Sequence, residues 1–194
     1  MRRVYECLAV SGDCSKRRQK AGERMKKEER GYADYVQFIN DTLRIPEQPT
    51  YRAIDLFAGC GGLSLGFEAA GFQTIGYEMK GDCCATYAKN LHSVCNQVII
   101  TKETEFPKIG IVIGGPPCQP FSRFGKRKGE SDERNGFPAF LEAIRKLQPA
   151  IWLCENVRGL PEQNKTYFDK LMKDFESLGY IVDYRVVQMV KYDV

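Results

Sequence analysis

Downstream of two closely spaced prolines, Pro46 and Pro49, short apolar runs alternate with stretches of helical periodicity, and this alternation restricts the fold more than any other feature. Residues 53–57, 73–78, 110–113 and 151–154 read as strands. Between and after them lie helical stretches. Phe140, Leu141, Ile144 and Leu147 share one face, and Phe168, Leu171, Met172, Phe175 and Leu178 share another, with Gly179 placed as a C-terminal cap. Strands alternating with helices of this length predict an α/β fold, a mostly parallel sheet with helices on both faces. In such sheets ligands sit at the carboxyl ends of the strands.

Three unusual peptides fall at those ends. The first is Asp55-Leu56-Phe57-Ala58-Gly59-Cys60-Gly61-Gly62, a glycine-rich strand-to-helix turn that lets a ligand approach the backbone. The dinucleotide pattern GxGxxG would require glycine at 64, where Ser64 stands, which counts against a nicotinamide cofactor. Glu78 ends the next strand, the usual place for a carboxylate that binds ribose hydroxyls. A glycine turn that merely closes a helix onto a sheet is the competing reading.

The second peptide is Gly114-Gly115-Pro116-Pro117-Cys118-Gln119-Pro120-Phe121-Ser122. Two glycines and three prolines forbid its continuation as helix or strand, so it should form a stiff loop. A rigid loop built around a thiol suits a nucleophile that must be placed closely, here Cys118. The third is Glu155-Asn156-Val157, directly after the strand at 151–154. Burying an acid there is costly unless it is paired or partly protonated, and a raised pKa would make Glu155 a proton donor. An ordinary carboxylate capping the next turn is the alternative.

The remaining composition bounds these readings. The chain has 194 residues, 43% hydrophobic and 28% charged, which fits a soluble globular domain in the cytosol, or in the nucleus of a eukaryote. No run approaches the ~20 apolar residues of a membrane span, and no signal-peptide pattern opens the sequence. The eight cysteines (Cys7, Cys14, Cys60, Cys83, Cys84, Cys95, Cys118 and Cys154) form no CxxC pair, and His92 is the single histidine, so no metal site is expected. Apart from Cys118 they are expected to be reduced, small, buried hydrophobes. Residues 1–50 read as a basic arm with a short amphipathic helix carrying Tyr32, Tyr35, Val36, Ile39 and Leu43. Its cluster from Lys16 to Arg30 is equally a solvated face or a phosphate contact. Residues 51–194 form the expected catalytic domain.

Taken in order, DLFAGCGG, GGPPCQPFS and ENV closely resemble the motifs of the DNA cytosine methyltransferases that act on carbon 5, and the likeness runs from about Arg52 to the last residue. The resemblance implies a Rossmann-like fold binding S-adenosylmethionine. Phe57, Gly59, Gly61 and Gly62 match the loop around the cofactor, Glu78 its ribose carboxylate, and Met79 the residue packing on adenine. Pro117 matches a residue beside the cofactor. Cys118 matches the nucleophile that adds to carbon 6, and Glu155 the acid that hydrogen-bonds ring nitrogen 3 and the exocyclic amine. Ser122 and Arg134 match a loop that closes over the DNA backbone. The implied substrate is double-stranded DNA with its target cytosine flipped out, methylated as part of a restriction–modification system.

Two departures from the family pattern stand out. The acid that contacts the adenine amine is expected after the third strand, near Val98-Ile99-Ile100-Thr101, where Glu103 is the nearest candidate. The likeness also stops at Val194, before an arginine-bearing motif, a target-recognition domain and a returning C-terminal helix. The fold is therefore expected to be incomplete at the C-terminus, with those parts supplied by further sequence or by a second polypeptide. A remnant that binds cofactor or a partner without chemistry is the alternative of a different class, and a nicotinamide-dependent dehydrogenase is disfavoured.

Overall fold

In the computed structural model, which describes residues 51–117 and 135–188, the alternation resolves into a five-stranded sheet, all parallel, in the order β3-β2-β1-β4-β5. The basic arm, the proline linker, Cys7, Cys14, Cys118, Ser122 and Arg134 lie outside the described residues. Along the chain come β1 (Tyr51–Leu56), α1 (Gly62–Ala69), β2 (Phe72–Glu78), α2 (Gly81–Asn90), β3 (Cys95–Gln97) and β4 (Ile111–Gly114). They are followed by α3 (Phe137–Leu147), β5 (Ile151–Cys154), α4 (Gly159–Gln163) and α5 (Lys165–Ser177). The fold is Rossmann-like, and the chain moves outward from β1 in one direction through β2 and β3 and in the other through β4 and β5. The expected strands are all present within two residues of their expected bounds; β3 precedes the position expected for a third strand.

Alternation along β1 divides the sheet into two unlike faces. Ile54 and Leu56 point with Val112 into an apolar layer filled by Phe137, Phe140 and Ile144 of α3 and Leu171 and Phe175 of α5. Trp152 of β5 stacks on Phe175 with ring centroids 4.3 Å apart, and Tyr180 closes the layer by donating its hydroxyl to the Pro149 carbonyl at 2.8 Å. The helical stripes read from sequence are this layer's outer wall. Gly179 takes φ 90 and returns its N–H to the Glu176 carbonyl at 2.9 Å, the cap expected of it. The opposite face carries Asp55, Thr74 and Gly76 beneath α1 and α2, packed around Tyr87. No helix among the described residues is long and apolar enough to cross a membrane.

Candidate active site

Register brings the unusual peptides to one rim. Leu56 pairs with Tyr77 on one side and with Gly114 on the other, and Gly114 in turn pairs with Cys154. The turns after β1, β2, β4 and β5 therefore leave the sheet at the same level, around the point between β1 and β4 where strand order reverses.

The glycine loop is drawn onto Glu78. Gly59 donates its N–H to Glu78 Oε2 at 3.0 Å, and Lys80 donates its own to Oε1 at 2.9 Å, so each carboxylate oxygen is held by backbone. The loop runs through left-handed conformations at Phe57 (φ 61), Gly59 (φ 54) and Gly61 (φ 90). Phe57 is the costly one, since a side chain rarely adopts that region. Gly61 has a second constraint, because a Cβ there would sit 2.5 Å from Leu91 Cδ1 and 2.7 Å from Tyr87 Cδ2. Above Gly59 and Gly62 nothing lies within 4 Å of such an atom, so the loop's outer side is an open cradle. Met79, beside it, is 58% exposed.

Beneath the loop runs a buried polar chain. Ser64 Oγ donates to Asp55 Oδ2 at 2.6 Å and accepts from the Tyr87 hydroxyl at 3.0 Å. The Tyr87 hydroxyl also meets Thr74 Oγ1 at 2.6 Å, and Thr74 donates on to Glu68 Oε1 at 2.7 Å. Ser64, which breaks the dinucleotide pattern, is thus a link in this chain. Asp55 Oδ1 is buried with no hydrogen-bond partner. Burial pushes the Asp55 carboxyl up to about 6, with the Ser64 hydrogen bonds offsetting only part of the rise. A folded-state value above the unfolded one means that folding favours the protonated acid. That contribution is complete below the unfolded value and is lost as pH climbs through about 6. Asp55→Asn should therefore stabilise the fold at neutral pH, by at most roughly 3 kcal/mol, with the gain vanishing toward about pH 4. Urea unfolding of both proteins across that range checks it; a gain that is equal at both ends would mean that the carboxyl does not titrate in this window.

On the other side of the switch point the proline loop is tied down three times. Glu155 N–H donates to the Gly114 carbonyl at 2.9 Å, and Gly136 N–H to the Pro117 carbonyl at 3.1 Å. The Asn156 side chain donates to the Pro116 carbonyl at 2.9 Å, across 40 residues of sequence. Asn156 carries no local signal for this role, which is to fix the backbone two residues before Cys118. A Cβ on Gly115 would lie 3.4 Å from Glu155 Oε2, so the Glu155 carboxylate stands over the same loop.

Two expectations need correction. Glu155 is exposed, not buried, because β5 is the outermost strand among the described residues and Leu153 on it is itself 44% exposed. Of the cysteines expected to be buried, only Cys84 is buried among those described; Cys60 is exposed on the glycine loop, and Cys83, Cys95 and Cys154 are intermediate. Glu103 is exposed in a turn of its own, where its N–H donates to Thr101 Oγ1 at 3.2 Å. The same hydroxyl holds its carboxyl below the ordinary range. Phe57, Gly59, Gly61, Gly62, Glu78, Met79, Pro117 and Glu155 all lie at the common rim. Among the described residues no group of three or more His, Cys, Asp or Glu side chains could hold a metal ion.

The model of the C-5 cytosine-specific DNA methylase family matches residues 51–194. The chain belongs to that family. Type II methyltransferase M.AplI of Arthrospira platensis is 45% identical over 163 residues, covering 82% of this chain and 47% of the relative. Type II methyltransferase M.NgoFVII of Neisseria gonorrhoeae is 33% identical over 150 residues, covering 74% and 40%. This family member thus spans about half the length of the curated relatives it matches. A solved Spodoptera frugiperda DNMT2 mutant superposes with a TM-score of 0.47 at 22% identity, over 64% of this chain and 41% of that one. Membership of the methylase family removes the dehydrogenase alternative.

Proposed function

We propose that this chain provides the cofactor pocket and the covalent-catalysis residues of an enzyme that methylates carbon 5 of cytosine in double-stranded DNA, as part of a Type II restriction–modification system. The observation that carries the reading is the in-register meeting of the Glu78-bound glycine loop with the tethered proline loop and Glu155 at one rim. S-adenosylmethionine, when bound, supplies an electrophilic methyl group. The open cradle over Gly59 and Gly62 fits it, with Phe57 and Gly61 shaping the loop, Glu78 accepting from the ribose hydroxyls, and Met79 and Pro117 flanking. Glu78 is already a double acceptor for backbone N–H groups, which holds its carboxylate aimed at the loop.

The substrate explains the other residues. Carbon 5 of cytosine is a poor nucleophile until a thiolate adds to carbon 6, and Cys118, next to the braced Pro116-Pro117 pair, is assigned that addition. Glu155 stabilises the charge that develops on ring nitrogen 3 and the exocyclic amine. Ser122 and Arg134 are assigned to the DNA backbone, and the target base must leave the stack to reach the rim. Sequence reading in the groove is assigned to a target-recognition domain, in further sequence or on a second polypeptide.

The test pairs this chain, by fusion or as two polypeptides, with the part of a relative's length that it does not span. Mixed-sequence DNA is incubated with radiolabelled S-adenosylmethionine and digested to nucleosides. Label in 5-methylcytosine is the expected result. Label on an exocyclic nitrogen instead would overturn the reading, and cofactor binding without any transfer would make the chain a binding remnant.

A further inference from the structure

Cys84 and Cys95 play no part in the proposed reaction, yet they are placed as a pair. Cys84 sits in the first turn of α2 and Cys95 opens β3, and the Cys95 thiol donates to Cys84 Sγ at 2.9 Å. Cys84 in turn donates to the Glu78 main-chain carbonyl at 3.7 Å. Cys95 lies against Gly76, where an added Cβ would come within 3.2 Å of its Sγ, so the missing side chain at 76 makes room for that sulfur. A disulfide needs its sulfurs at about 2.05 Å. The two sulfurs are therefore within about 1 Å of bonding distance.

We propose that Cys84 and Cys95 form an oxidisable dithiol, closed to an intramolecular disulfide by a small-molecule disulfide such as oxidised glutathione. Cys95 is the more accessible of the two and attacks first. Its thiolate displaces one glutathione thiolate and leaves a mixed disulfide. Cys84 then loses its proton and attacks the Cys95 sulfur, expelling the second glutathione. Two protein thiols are oxidised, and one glutathione disulfide is reduced to two glutathiones. Burial and the adjacent Cys84 thiol push the Cys95 thiol up to about 12, so the pair rests in the reduced form and exchange is slow until the pH is raised. The bond would staple α2 to β3 directly below the carbonyl of Glu78, and so would fix the segment that presents the Glu78 carboxylate.

The chain is incubated for hours with excess oxidised glutathione at alkaline pH, where linking should quicken as pH rises, then alkylated and digested with trypsin without reduction. The expected product joins peptides 81–89 and 90–102 and disappears on reduction. Cys83→Ser should keep the link, whereas Cys84→Ser and Cys95→Ser should each abolish it. The oxidised wild type should melt at least ~5 °C above its reduced form, a shift absent from both single variants. A digest that links 53–80 to 81–89 alone, or a link that survives Cys84→Ser, would overturn the assignment.

Discussion

Cys118→Ala is expected to abolish covalent capture of DNA carrying 5-fluorocytosine at the target, while the cofactor-induced rise in melting temperature persists. Once carbon 5 has taken the methyl group, Cys118 is expelled only as carbon 5 loses its proton, and fluorine cannot leave in that way. The wild-type adduct should therefore survive denaturing electrophoresis. Cofactor binding should persist because the contacts assigned to it, Pro117 apart, come from the turns after β1 and β2, and the substitution leaves Pro117 in place. The assay uses whichever fused or complemented form transfers methyl groups. Capture that survives the substitution would place the nucleophile elsewhere.

Glu155→Gln should slow methylation by on the order of a hundredfold or more, the typical loss when one group that stabilises developing charge is removed. DNA affinity should change far less, because the charge appears on the base only during addition. The substitution leaves the main-chain bond from residue 155 to the Gly114 carbonyl intact, so the strand end should hold its place. Single-turnover rates and filter-binding constants measured side by side separate the two effects. A rate within about threefold of wild type would reduce Glu155 to a structural carboxylate.

Much of this arrangement was legible in the sequence, for a physical reason. Glycine and proline mark where the chain must stop being regular, and in a parallel α/β sheet the functional stops all occur at one rim. DLFAGCGG, GGPPCQPFS and ENV therefore announced both the strand ends and the residues gathered there. What escaped notice lacks a local signature. β3 is only Cys95-Asn96-Gln97, too short and too polar for a periodicity to register. The exposure of Glu155 depends on the position of β5 at the outside of the sheet, which strand order decides and composition does not. Asn156 reaches Pro116 over 40 residues, and Tyr87 reaches Ser64 over 23, separations at which a single sequence carries no pairing information. Free cysteines are usually packing residues, but Cys60 is exposed because the glycine loop that contains it faces outward.

The two sides of the sheet are open to sequence change in different ways. Against α3 and α5 the contacts are non-directional, and Ile144, Leu171 or Phe175 can be exchanged for side chains of similar volume with modest loss. Against α1 and α2 each hydroxyl has assigned partners, and replacing one strands another in a dry interior at about 1–3 kcal/mol. Tyr87 concentrates that restriction. Its ring occupies the space that a side chain on Gly61 or Gly76 would need, while its hydroxyl couples Ser64 to Thr74. The apolar side should therefore accept one replacement at a time, whereas Ser64, Thr74 and Tyr87 should be exchangeable only together.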